Sequence, residues 1–193
     1  MLIAEPRIPA VGKLIYSTLA SLDGYTADAD GRFEWAAPGE EVHAFVNDLE
    51  RDVGTYLYGR RRYETMAVWQ DMPLEGESAA MADYAGIWRA ADKVVYSSTM
   101  ESASTPRTRI ERVFAAESVR AMKETAPRDL SVGGPGLAAP AIRAGLVDEY
   151  QLLVVPVIVG GGTRALPGDV RIDLQLADVR RFENGIVFMR HTL

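Results

Sequence analysis

Tyr56-Leu57-Tyr58-Gly59-Arg60-Arg61-Arg62-Tyr63-Glu64 runs from a short strand signal through one glycine into a helical segment whose first turn carries three arginines. Positive charge in that turn opposes the helix macrodipole and costs a few tenths of a kcal/mol per residue, so helix stability alone does not select it. A bound anion reverses the sign, because phosphate can take both the free N–H groups of the helix start and the guanidinium forks. The plainer reading of the same residues is a solvated basic face.

Working outward, β-branched and aromatic runs alternate with segments of helical period, the pattern of an α/β sheet with helices on its faces. Residues 13–20, 55–58, 93–97 and 130–132 are strand candidates, expected to be parallel. Val42, Phe45, Val46, Leu49 and Val53 fall on one helical stripe entered at Pro38-Gly39. Further helices are expected from Arg60, over 118–125 and over 135–144, the last closed by Gly145. The final third turns β-rich at 149–159, 172–176 and 186–191, and Asn184-Gly185 marks a tight turn between antiparallel strands. Residues 75–80 and 101–109 read as surface loops.

The 193 residues suit one domain spanning 1–193. Hydrophobic content of 48% with 25% charged residues is ordinary for a globular chain. No apolar stretch approaches the roughly 20 residues of a membrane helix, so no membrane partner is expected. Residues 1–11 contain Glu5 and two prolines and lack the pattern of a secretory signal, which makes a cytoplasmic location the expectation. With no cysteine, and only His43 and His191 as histidines, thiolate or histidine-rich metal sites are excluded and none is expected. A net charge of −6 argues against general nucleic-acid binding.

Four other stretches could carry chemistry. Leu130-Ser131-Val132-Gly133-Gly134-Pro135-Gly136-Leu137-Ala138-Ala139 is a strand entering glycines and then a helix. It matches a relaxed dinucleotide fingerprint but lacks the acidic residue about 20 positions on, so tight packing competes with ligand approach as its reason. Lys93-Val94-Val95-Tyr96-Ser97-Ser98-Thr99 ends a strand in three hydroxyls that either bind phosphate or cap a turn. Ser21-Leu22-Asp23-Gly24-Tyr25 is a turn after the first strand. Residues 35–41 bring Glu40 and Glu41 to a helix start, where acids are favoured in any case. By helical angle Glu41 borders the apolar stripe and is the better candidate for a half-buried proton donor or substrate anchor. Gly160-Gly161-Gly162 precedes Thr163 without a P-loop lysine and reads as a turn.

Taken in order, these motifs resemble the dihydrofolate reductase-like superfamily, and within it the reductase branch of riboflavin biosynthesis. Ser21-Leu22-Asp23-Gly24-Tyr25-Thr26-Ala27, Gly59-Arg60-Arg61-Arg62-Tyr63-Glu64, Val132-Gly133-Gly134, and the run from Asp148-Glu149-Tyr150 to Gly160-Gly161-Gly162 carry the likeness. It implies a mixed sheet of about eight strands, mostly parallel with an antiparallel C-terminal edge and helices on both faces. It also implies NADPH across the ends of the central strands: Gly59, Arg60, Arg61 and Arg62 at the phosphates, Ser97 and Ser98 at the 2′-phosphate end. Gly133, Gly134, Gly136 and Leu137 would meet the pyrophosphate and nicotinamide side, with Asp23 and Gly24 over the nicotinamide. Gly133-Gly134 is often a cis peptide in such folds.

The implied reaction is hydride transfer to C1′ of a ring-opened ribosylamino pyrimidine, with Glu41 or Asp23 orienting the pyrimidine or assisting protonation, in a homodimer. Lacking cysteine, the chain cannot carry the zinc deaminase half of the bifunctional riboflavin enzymes. Counting from Trp35 points to Glu40 as the pterin-protonating carboxylate, whereas helical angle points to Glu41. No arginine matches the one that holds folate's tail, which lowers folate as substrate. A dihydrofolate or pteridine reductase and a non-catalytic nucleotide-binding relative are the rival expectations.

Overall fold

A computed structural model describes residues 12–193; the reading of residues 1–11 falls outside them. In chain order the elements are β1 (Leu14–Ser21), β2 (Tyr25–Ala27), α1 (Glu40–Glu50), β3 (Val53–Gly59), α2 (Arg60–Met66), α3 (Val68–Asp71), α4 (Ala79–Ala90) and β4 (Asp92–Tyr96). There follow β5 (Thr108–Glu111), α5 (Ala116–Thr125), β6 (Asp129–Gly133), α6 (Pro135–Arg143), β7 (Glu149–Val155), β8 (Thr163–Arg164), β9 (Gln175–Arg181) and β10 (Val187–Thr192). Eight strands form one sheet in the order β5-β4-β3-β6-β1-β7-β10-β9, and β2 pairs with β8 in a separate ribbon. The first six sheet strands are mutually parallel, while β10 runs antiparallel to both β7 and β9.

Alternation along the strands divides the core between two faces. Leu14 and Tyr16 of β1, Leu57 of β3 and Val132 of β6 pack with Val119 of α5 and with Leu137, Ala138 and Ala141 of α6. On the other face Tyr56 and Tyr58 pack with Tyr84 and Trp88 of α4. There too, Val42 of α1 packs with Leu153 and Phe188.

Several boundaries differ from the sequence expectation for identifiable reasons. Val53 opens β3 rather than closing the α1 stripe. The strand expected to reach residue 159 stops at Val155, because Pro156 has no N–H to give a ladder. Residues 172–176 were expected to be a strand. Instead Ile172 and Leu174 pack as irregular chain against the core, and the strand is the fully exposed β9, whose Asp178, Arg180 and Arg181 suit a sheet edge. Within the stretches read as loops, Ser78 caps α4 by accepting from the Met81 N–H (3.3 Å), and residues 108–111 add β5 beside β4. Among the described residues no helix is long and apolar enough to cross a membrane.

Candidate dinucleotide site

Because β1, β3, β4, β6 and β7 are parallel, Ser21, Gly59, Tyr96, Gly133 and Val155 all end at one edge of the sheet. Loops leaving that edge line a crevice, the place where open α/β sheets bind ligands. Every stretch singled out in the sequence except the α1 carboxylates opens onto it.

At its β3–β4 end lies a cleft of about 360 Å³ lined by Arg60, Tyr63, Glu64, Thr99, Met100, Glu101, Ser102 and Ser104. Arg60 reaches it from the start of α2, with Nε donating to Glu64 Oε1 (2.7 Å) and Nη1 to Thr99 Oγ1 (3.0 Å). The Tyr63 hydroxyl, buried beneath, accepts from the backbone N–H groups of Ser104 and Thr105 (3.0 Å each) and so shapes the cleft wall. Ser97 is buried and caps the turn, its Oγ accepting from Met100 N–H (3.0 Å), whereas Ser98 and Thr99 are exposed. Tyr63, Glu64, Ser102 and Ser104 are cleft residues to which the sequence reading gave no role, whereas Thr99 stood within its hydroxyl run 97–99. The helix α2 is only seven residues long, so the dipole that its arginines oppose is small, and of the three only Arg60 lines the cleft.

In the middle of the crevice, Gly133 and Gly134 lie under the aliphatic stem of Arg62. A Cβ built at Gly133 would sit 2.5 Å from Tyr58 Cε1, and one at Gly134 would be 3.4 Å from Arg62 Cβ. Gly133 is therefore required by packing. The turn is made by Gly134 at φ +87°, where only glycine is unstrained, and not by the expected cis peptide; none occurs among the described residues. Gly59, Gly136 and Gly24 face open space, with nothing within 4 Å of a notional Cβ, so backbone is accessible to a ligand there. The Leu137 side chain turns into the core, leaving only its backbone near the crevice.

At the β1–β7 end, Asp23 accepts from the backbone N–H groups of Val159 (3.2 Å) and Gly160 (2.8 Å), tying the first turn to the glycine loop after β7. A hydrogen bond from Ser21, then those two N–H groups, hold its carboxyl below the usual carboxylate range. Asp23 is thus an ionised acceptor at neutral pH.

Glu41 is placed otherwise than expected. It is about half exposed and paired with Arg180 of β9 (3.0 Å), which itself stacks over Phe45 and Phe182. The apolar stripe of α1 faces β7 and β10, so its Glu41 flank looks to the outer edge of the sheet, away from β1 and β6. Glu40 is exposed too. The buried carboxylate of α1 is Glu50, at the other end of the helix, with burial pushing its pKa up and Oε2 lacking a partner among the described residues. His43 packs against Trp69 and Tyr84. Among the described residues no group of three or more His, Cys, Asp or Glu could hold a metal ion.

A crevice of this kind on an eight-stranded sheet with one antiparallel edge defines a dihydrofolate reductase-like domain. The chain belongs to the RibD C-terminal domain family, whose model matches residues 12–188. It is 27% identical over 179 residues to the uncharacterized protein YyaP of Bacillus subtilis, covering 91% of this chain and 92% of that one. A putative riboflavin biosynthesis protein from Shewanella sp. PV-4 superposes with a TM-score of 0.73 at 17% identity, over 93% of this chain and 98% of that one. The diaminohydroxyphosphoribosylaminopyrimidine deaminase/5-amino-6-(5-phosphoribosylamino)uracil reductase of Thermotoga maritima gives 0.62 at 16% identity, over 94% of this chain and 56% of that one.

Proposed function

We propose that the protein is an NADPH-dependent reductase of the riboflavin-biosynthesis type, acting on a ribosylamino pyrimidine. The observation that carries this reading is the row of features along one end of the sheet, from the polar Arg60 cleft past the open backbone of Gly136 to the Asp23 turn. Arg60, with Thr99, would hold the 2′-phosphate; Gly59, Arg61 and Arg62 would meet the phosphates beside Gly133, Gly134 and Gly136. When bound, the cofactor supplies the hydride that reduces C1′ of the ring-opened substrate. Gly24 and Asp23 close the far end, and ionised Asp23 orients the pyrimidine through its remaining lone pairs rather than giving up a proton. Their loops exclude water from the reacting carbon.

The same reading includes a homodimer. The outer edge of β9 has no strand beside it among the described residues, and Leu176 and Val179 there are exposed. Antiparallel pairing of two copies about Val179 sets Asp178 of each opposite Arg180 of the other, a register in which the charges complement.

Steady-state turnover of the deaminated ribosylamino pyrimidine tests the assignment. Arg60→Ala should raise the KM for NADPH far more than that for NADH. Equal effects remove the 2′-phosphate from Arg60, and turnover of dihydrofolate with none of the pyrimidine overturns the substrate.

A further inference from the structure

The cleft that holds Arg60 is not simply a cation site. Its lining contains one guanidinium and two carboxylates, Glu64 and Glu101, so before any ligand enters it leans acidic. Glu64 stands one helical turn beyond Arg60 and already takes its Nε at 2.7 Å, leaving Nη1 to Thr99. Both side chains are about half exposed, at 52% and 49%, so the pair is weak enough to open when a better partner arrives.

These two residues answer two different adenosine riboses. A 2′-phosphate must draw Arg60 away from Glu64 and sit near carboxylates of its own sign. An unphosphorylated ribose offers a 2′-hydroxyl donor, and an acidic side chain is the acceptor that dinucleotide sites use for it. We infer that Glu64 sets the balance between the two nicotinamide dinucleotides, competing with the 2′-phosphate for Arg60 and accepting the 2′-hydroxyl, so that the protein admits NADH beside NADPH. The inference rests on the dinucleotide reading of the crevice and makes Glu64 a specificity-determining residue within it.

Calorimetric titration of the full chain with NADPH and with NADH, for the wild type and Glu64→Gln, tests it; the amide keeps the shape and removes the charge. The wild type is expected to bind both. In Glu64→Gln, NADPH should bind more tightly and NADH more weakly, widening the ratio of the two dissociation constants by about fivefold, the effect of one exposed charge. An unchanged ratio with both ligands still bound overturns the role of Glu64 and leaves the cofactor site standing. A ratio that moves towards NADH also overturns it, by making Glu64 a support for Arg60. Binding of neither dinucleotide by the wild type removes the site and the inference together.

Discussion

Asp23 and Gly160 are joined by a 2.8 Å hydrogen bond across 137 positions of sequence, and the neighbouring Val159 N–H fills the other carboxylate oxygen. Asparagine puts a donor NH2 where one of the two carboxylate oxygens stands, so in the same pose one of the two N–H groups loses its acceptor. In Asp23→Asn the loops over the crevice should lose their alignment, and kcat should fall about ten- to a hundredfold, as small displacements of a reacting group do. Its folded pKa is lowered, so the link is intact above the ordinary carboxylate range and is lost as pH falls through the folded value. The gap between wild type and variant should therefore persist at neutral pH and close only on acidification. A pH–rate profile that shows Asp23→Asn removing a neutral-range ionisation would contradict this.

Gly133 and Gly136 should respond oppositely to the same added methyl. At Gly133 it meets the Tyr58 ring, and overpacking of that kind costs about 1–3 kcal/mol, read as a lower denaturant midpoint. At Gly136 it meets nothing, so Gly136→Ala should leave stability unimpaired while weakening dinucleotide binding.

Tyr63→Phe deletes the hydroxyl that accepts from Ser104 N–H and Thr105 N–H. The buried Thr105 N–H left without an acceptor costs about 1–3 kcal/mol, while the Ser104 N–H, on an exposed residue, adds less. Faster hydrogen exchange at those two amides and a raised dissociation constant for NADPH should accompany the loss, with the KM for the pyrimidine little changed.

Lys93 is buried, over the Trp88 ring at 4.0 Å and donating to Ala91 O (3.0 Å), and burial lowers its pKa from 10.5 to about 8. A depressed folded value means that the unfolded chain binds more protons between the two values, so stability rises with pH over that window and the penalty is complete below pH 8. Lys93→Met should stabilise the protein at neutral pH, by roughly 3 kcal/mol at most, and less as the pH approaches 10.5. Chemical denaturation at the two pH values measures the difference.

A charge on the proposed twofold should separate the copies. Val179→Asp places like charges opposite one another and should shift sedimentation from dimer to monomer without disturbing the far-ultraviolet spectrum. A wild type that is already monomeric at micromolar concentration removes the proposed interface.

The strands were legible because each buried run is short, apolar and bounded by a turn, and Gly59-Arg60 and Gly133-Gly134 marked two strand ends by residue type alone. Helical angle did not place Glu41. Angle gives a residue's direction from its own axis, whereas the sheet order decides that the Glu41 flank of α1 looks to β9 and not to β1. Local composition likewise hid β5, because the alternation in Thr108-Arg109-Ile110-Glu111 is too short to outweigh its charges until β4 lies beside it. Glu64 stood inside the first motif quoted, but its meaning depends on Thr99 and Glu101 arriving from the loop after β4.

The position of β1 between β6 and β7 governs when the site can exist during synthesis. Residues 14–21 precede both strands that flank them by more than a hundred positions, since β6 and β7 lie beyond residue 128. A nascent chain can assemble β3, β4 and the Arg60 cleft while its first strand still waits, its apolar face uncovered. Only when the last third is released can β1 be seated and Asp23 find Gly160, so the end of the crevice assigned to chemistry is completed last.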